Sequence, residues 1–351
     1  MTRPRIALYG ATGFTGRLVA SELAARGEAF VASARNSTEL DELAAAHPNT
    51  DIEIRVATVD RPASLDAMLE GVDVLINCAG PFIDVGPPVA EAAVRNGAHY
   101  FDTTGEQPFI KWAQTNLDER AAQQGVVVVP ACAYEYATGD FAARVAVDSG
   151  ARHLAICYAV RDFRMSRGTM KSVVRTLSKE GYTYVDGHLQ RRKPAYRLFD
   201  VPLPDGRRVT GAWFAGGEPL TVPRYAEVEQ VENCLAVGKI TGRLMCLASP
   251  LIPVMAGAAE NLLDKLVDVV GGDPDSKGPS PELTAVAFDP RSSQTYVAVT
   301  GTDVYLTTAR IIVEAACRTV DSPPEEGGFS SPAALFDARE FIAAVGLTLV
   351  E

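Results

Sequence analysis

The chain is poor in the residues that build metal and dithiol centres. It has four histidines, and its six cysteines (78, 132, 157, 234, 246 and 317) form no Cys-x-x-Cys pair. Zinc-site spacings and a redox dithiol are therefore excluded, and scattered thiols fit a reduced, cytoplasmic setting. Cations are also short. Against 44 acidic residues stand 33 Lys and Arg, a net charge of −11, which argues against nucleic acid or an anionic membrane as a general partner. Long apolar runs are missing too. The longest, residues 244–259, is short for a spanning helix and holds Pro250 and Pro253, so no integral membrane segment is expected. It reads as a buried helix pair or channel wall, or alternatively as a lipid-facing lid. Repeats, low-complexity segments and a signal peptide are likewise not expected, since residues 5–9 already read as a strand.

What is present is concentrated at the start. Residues 5–9 form a short apolar run, followed by Gly10-Ala11-Thr12-Gly13-Phe14-Thr15-Gly16 and a helix-like stretch. Strand, glycine-rich turn and helix in that order make the first unit of a dinucleotide-binding fold. Gly10 suits the tight turn, Gly13 the approach of a pyrophosphate and Gly16 close helix–strand packing. The pyrophosphate would lie at the helix N-terminus, with Thr12 and Phe14 beside it. Residues 29–34 read as the second strand, and Arg35, Asn36 and Ser37 follow where NAD-selective sites carry an acid. A guanidinium there accommodates a 2′-phosphate, so the expected cofactor is NADP(H).

At 351 residues the chain is long enough for two domains. Strands are expected at 52–57, 72–78, 98–102 and 125–130, alternating with helices at 62–69, 88–96 and 109–124. That spacing implies an α/β fold with a doubly wound, Rossmann-type parallel sheet over residues 1–140. Longer strand-like runs at 154–160, 207–214 and 294–299 suit a second α+β substrate domain on a mixed or antiparallel sheet, residues 141–310. Helices at 307–319 and 331–345 are expected, and residues 311–351 are expected to pack back between the domains. Residues 271–279 read as a loop.

Chemistry is expected at the carboxyl ends of the strands, where ligands of open α/β sheets bind. Asp60, Cys78, Ala79, Gly80 and Pro81 are assigned to the cofactor, with Cys78 a small buried residue rather than a nucleophile. Phe82, Asp102 and Glu106 are assigned to substrate, although Asp102 also reads as a turn cap. Tyr134, Glu135 and Tyr136 follow the last central strand, where a phenol or carboxyl could move the proton that accompanies hydride transfer. Asp140 reads as the N-cap of a helix over residues 141–148. Ser166 and Thr169 open a later helix, as substrate ligands or as its cap. No metal site is expected.

Together these stretches resemble the saccharopine dehydrogenase-like oxidoreductases, a family that includes trans-acting enoyl reductases. The resemblance rests on Gly10–Gly16, Ala34-Arg35-Asn36, Cys78–Phe82, Tyr100–Glu106 and Ser166–Thr169. Gly278–Ser280, Gly301–Tyr305 and Gly327–Pro332 extend it along the chain. After the last central strand the family commonly has Gly, an aromatic, Asp and Ser, then Pro-Ser-Asp. Here stand Ala133, Tyr134, Glu135 and Tyr136, then Thr138, Gly139 and Asp140. The resemblance implies NADPH-dependent reduction of an enoyl C=C or an imine C=N bond in a small-molecule or biosynthetic intermediate. A homodimer stays open. A non-catalytic NADP sensor and a Cys-dependent semialdehyde dehydrogenase are the competing readings. A short-chain dehydrogenase is disfavoured, since none of the eleven tyrosines has Lys four positions later.

Overall fold

The computed structural model describes residues 5–161, 165–177, 179–254, 256–257, 281–292 and 294–351. Its first sheet is made from short runs that are buried on both faces, as parallel strands must be. Ile6–Tyr9 (β1), Phe30–Ser33 (β2), Val74–Asn77 (β4) and His99–Asp102 (β5) are buried at every position, as is Val127–Val129 (β6). With the edge strand Ile52–Ile54 (β3) they pair in parallel, in the order β6-β5-β4-β1-β2-β3. Strand order therefore reverses beside β1, and ligands of such sheets gather outside the carboxyl ends at that point. One further parallel strand, Gly328–Phe329, returns to pair with β6. It is only two residues long and carries no alternation by which the sequence could announce it.

Helices Phe14–Arg26 (α1), Ser37–Ala46 (α2), Pro62–Met68 (α3), Phe82–Arg95 (α4) and Gln107–Gln124 (α5) fall between these strands. α4 starts earlier than the expected 88–96 and takes Pro87 and Pro88 into its interior. It packs closely on α5: a Cβ at Gly86 would meet the Phe109 ring at 2.5 Å or more. The helix Val304–Asp321 agrees with the expected 307–319.

The second sheet is mixed. Its strands are His153–Val160 (β7), Gly181–Val185 (β8), His188–Arg192 (β9), Leu198–Pro202 (β10), Arg208–Trp213 (β11), Gln230–Val237 (β12), Glu282–Phe288 (β13) and Thr295–Thr302 (β14), with Thr348–Val350 at one edge. All neighbours run antiparallel except β12 and β7, which pair in parallel with Cys234 beside Cys157. One face closes over Phe199, Val201, Trp213, Val286 and Phe288, each such side chain contributing about 1.5–3 kcal/mol by leaving water.

The chain divides into two compact units. The first holds residues 1–104, 109–134 and 305–335, and the second 105–108, 135–304 and 336–351. The division after residue 134 lies beside a break in the helical backbone. In Tyr134–Asp148 (α6), Glu135 (φ −63°, ψ 141°) and Tyr136 (φ 73°, ψ −47°) are not helical. The segment 311–351 is not a body of its own; residues up to Leu335 go with the first unit and Phe336–Glu351 with the second. In place of one helix over 331–345 there are two short ones, Pro332–Leu335 and Ala338–Ala344. The loop expected at 271–279, and Gly278–Ser280 with it, lie outside the described residues, as do 255, 258 and 259 of the apolar run.

Candidate active site

In the first unit the glycine turn sits at the carboxyl end of β1. Gly10 has φ +79°, a region that L side chains rarely adopt, and a Cβ there would lie 2.7 Å from the Ala79 nitrogen. A Cβ at Gly16 would collide with the Gly10 carbonyl, so α1 approaches the turn this closely only with glycine. Gly13 is exposed, and a Cβ on it would meet nothing nearer than the Gly10 oxygen at 3.4 Å. No side chain caps α1, which begins at Phe14 directly after Gly13. Its first-turn N–H groups are thus left for an anion. Thr12 accepts from Arg17 Nε through its carbonyl at 2.9 Å, and the Phe14 ring stands edge-on to Tyr305 at 4.9 Å.

Arg35 is exposed just past β2 and forms no ion pair among the described residues. Burial raises the Tyr9 phenol pKa, and Arg35 and Asp60 act on it with opposite signs, which places both near the end of β1. Asn36 is otherwise engaged: its Oδ1 accepts from Thr38 N at 3.0 Å as the α2 cap, and its Nδ2 donates to Glu39. Ser37 is the first residue of α2.

The loop after β4 is ordered by Asn77, whose Oδ1 accepts from Ala79 N at 2.9 Å and whose Nδ2 donates to the Tyr100 hydroxyl. Gly80–Pro81 is a cis peptide. Burial pushes the Cys78 thiol up to about 12, so it is no nucleophile at neutral pH. Cys132 is completely buried. Phe82 packs against Phe109 at 6.0 Å. Asp102 is fully buried and its Oδ1 accepts from Thr104 N at 2.8 Å and Ala131 N at 2.9 Å. That carboxyl group braces the ends of β5 and β6. Tyr134 is fully buried, and its N–H donates to Thr308 Oγ1 at 3.1 Å.

The second unit gathers Glu106, Glu135 and Tyr136. Tyr136 is a bulky residue at positive φ, a conformation costing on the order of 1–3 kcal/mol that surrounding contacts must hold. They do so at both ends: its N–H donates to the Tyr158 hydroxyl at 2.8 Å, and its hydroxyl donates to Gly105 O at 3.0 Å, with Ala215 O at 3.3 Å. Tyr158 in turn donates to Glu218 Oε1, and Asn233 Nδ2 donates to Glu218 Oε2 at 2.7 Å. Burial pushes the Glu218 carboxyl up to about 8. Burial, with the charges of Glu218, Glu135 and Glu106, holds the Tyr136 phenol well above the ordinary range, so this phenol is a poor acid. Glu135 differs. It is half-buried, and burial raises its carboxyl to about 7, the value that suits a general acid at neutral pH.

Glu106 Oε1 accepts from Ser172 Oγ at 2.9 Å. Ser166 and Thr169 pair with each other, the Ser166 hydroxyl accepting from Thr169 N at 3.2 Å at the start of Arg167–Leu177 (α7). The expectation that Asp140 caps a helix over 141–148 is corrected: α6 begins earlier, so Asp140 lies inside it. There it is buried and accepts from Thr221 Oγ1 at 3.1 Å and the Tyr225 hydroxyl at 3.0 Å, both on Glu218–Tyr225 (α8). Tyr158, Glu218 and Asn233 escape sequence reasoning because they come together only through the second sheet. The sole local hint is Gly216-Gly217 before Glu218: a Cβ at Gly216 would strike the Asn233 side chain. No group of three or more potential metal ligands occurs among the described residues.

Residues 6–129 match the family model of the saccharopine dehydrogenase NADP-binding domain. The chain is 33% identical over 263 residues to a candidate trans-acting enoyl reductase of Mycobacterium tuberculosis, covering 66% of this chain and 61% of that one. It is 29% identical over 151 residues to a human saccharopine dehydrogenase-like oxidoreductase, covering 38% and 35%. The chain thus spans less than two thirds of the length of either relative. Its fold is that of apo saccharopine dehydrogenase (L-Glu forming) from Saccharomyces cerevisiae, with a TM-score of 0.66 at 11% identity over 98% of this chain and 99% of the other.

Proposed function

We propose that the chain, whose residues 6–129 match the family model of the saccharopine dehydrogenase NADP-binding domain, is an NADPH-dependent reductase of a C=C or C=N bond. NADPH supplies the hydride. The residues that would hold it are Gly10, Gly13 and Gly16, the first turn of α1, and the loop Cys78–Pro81. Arg35 would select the 2′-phosphate, with Ser37 and Asp60 nearby. The second unit is read as the substrate unit, with Glu106, Ser166 and Thr169 as substrate-side residues.

Reduction adds a hydride to one atom of the double bond and a proton to the other. Glu135 is the proposed proton donor: it gives up the carboxyl proton, becomes a carboxylate and is reprotonated from solvent. The observation that carries this role is a half-buried carboxyl raised to about 7 on a strained turn directly after the first sheet's β6. Tyr136 positions that turn, since its hydroxyl is already engaged by Gly105. Tyr134, fully buried in the first unit, is no longer a favoured donor.

Among substrates, an enoyl compound is ranked first, on the mycobacterial relative's name. The Tyr136 side chain, in place of a family Ser, argues for a pocket of different shape. A Cys-dependent semialdehyde dehydrogenase is disfavoured by the buried Cys132 and the high thiol of Cys78. The test is loss of NADPH absorbance with a panel of 2-enoyl thioesters and cyclic imines. Turnover of any of them supports a reductase, whereas tight NADPH binding with no turnover supports the sensor.

A further inference from the structure

A tyrosine does not hold φ 73°, ψ −47° unaided, because that conformation lies near the strained form of the γ-turn. Tyr136 is kept there by a contact to its backbone: its N–H donates to the Tyr158 hydroxyl at 2.8 Å. A phenol hydroxyl carries one proton and acceptor lone pairs, and it rotates to suit its neighbours. The lone pairs of Tyr158 are fixed toward Tyr136 when its own proton is claimed elsewhere. Glu218 claims that proton through Oε1, and Asn233 fixes Glu218 in turn, donating Nδ2 to Oε2 at 2.7 Å.

These three side chains come from rigid elements. Tyr158 and Asn233 stand on the parallel neighbours β7 and β12, where Leu235 pairs with Tyr158 and Asn233 with Ile156, and Glu218 is the first residue of α8. Two glycines let the parts meet. A Cβ at Gly139 would overlap the Tyr158 hydroxyl and Glu218 Oε1, and one at Gly216 would strike the Asn233 side chain. All three side chains are buried. A carboxyl is costly to bury, and the partners of Glu218 here are the neutral donors Tyr158 and Asn233 rather than a cation. Apolar side chains of the same shape would serve packing alone at less cost. We propose that Tyr158, Glu218 and Asn233 are positioning residues for the reduction: each acting through the next, they hold the backbone of Tyr136 and so fix where the Glu135 carboxyl stands.

The proposal rests on the reading of Glu135 as proton donor and names what aims it. The ring of Tyr136 is held separately, by its hydroxyl on Gly105 O at 3.0 Å and its face toward Phe214 at 6.3 Å. Loss of the Tyr158 contact therefore releases the backbone of the turn and not the ring. The Tyr136 N–H, left without an acceptor, turns toward solvent, the strained dihedrals relax, and Glu135 leaves its half-buried position for water.

The experiment follows the Glu135 carboxyl by carbon NMR in the full chain labelled at glutamate Cδ, its signal identified by loss in Glu135→Gln. In the wild type it is expected to titrate at about 7. Tyr158→Phe and Glu218→Ala are each expected to move it down toward the ordinary 4.5, with NADPH affinity unchanged. Glu218→Gln is expected to keep it near the wild-type value. The Gln carbonyl still accepts from Tyr158, and Asn233 can turn its amide to offer the Gln N–H groups its Oδ1, which is buried and otherwise without a partner. In the wild type itself the Tyr136 amide is expected to exchange slowly with deuterium oxide, a measurement that needs no variant to fold. A Glu135 titration unchanged in Tyr158→Phe would overturn the proposal, as would a Glu218→Gln chain that behaves like Glu218→Ala, or a fast-exchanging Tyr136 amide. Full turnover in Glu135→Gln would instead defeat the donor reading and leave these titrations as they are.

Discussion

The Tyr158 hydroxyl donates to the Glu218 carboxyl group beside Gly139, where a Cβ would overlap both groups. Sixty residues separate the two partners in sequence. Because the same hydroxyl also accepts from the Tyr136 N–H, this pair supports the strained turn that presents Glu135.

Gly139→Ala should therefore act on stability and on the turn together. Forcing a methyl into a packed site typically costs about 1–3 kcal/mol, and separation of the buried pair adds to it. Urea denaturation should show a lower midpoint. A midpoint equal to wild type would mean that the pair does not need that space.

Glu218 should leave a signature in the pH dependence of stability. Its folded pKa, about 8, lies above the ordinary 4.5. Below 4.5 both states hold the proton. Between the two values the folded state keeps a proton that the unfolded state has released, so native stability falls as pH rises and levels off above about 8. Glu218→Gln should remove that decline in denaturation midpoints measured from about pH 5 to about pH 9. An identical pH slope in the variant would assign the decline to other groups.

The cofactor loop gives two contrasting outcomes. Gly13→Val should fold normally, since its Cβ meets only the Gly10 oxygen at 3.4 Å, yet fail to bind NADPH. Arg35→Ala should bind NADH as before and weaken NADPH binding by about 1.5–3 kcal/mol, the range for hydrogen bonds to charged groups. Titration of both cofactors checks this. Equal wild-type affinity for NADH and NADPH would remove the role given to Arg35.

The first sheet was legible in the sequence because its strands are short, uninterrupted apolar runs ending in turn residues, as at Ile6–Tyr9 and Val74–Asn77. The glycine turn was legible for the same local reason. What could not be read depends on distance. Asp140 looks like a cap until the helical backbone leading into it is seen to start at Ala137, just after the break at Glu135 and Tyr136. Asp102 braces Ala131 N, a partner that no local pattern names. Periodicity also misleads where a helix is inverted: the leucines of the helix Lys239–Ala248 suggest burial, and it is Gly242 and Cys246 that face the sheet.

The central claim is that Glu135 delivers the proton. It is tested most directly by NADPH turnover with a 2-enoyl thioester such as crotonyl-coenzyme A, in wild type, Glu135→Gln and Tyr136→Phe. Since the donor must be protonated, wild-type activity should fall as pH rises through about 7. Glu135→Gln should lose roughly 10²–10⁴ in turnover, the usual contribution of general acid catalysis, with NADPH affinity intact, and Tyr136→Phe should retain most activity. Full activity in Glu135→Gln, with the loss appearing in Tyr136→Phe instead, would contradict the assignment.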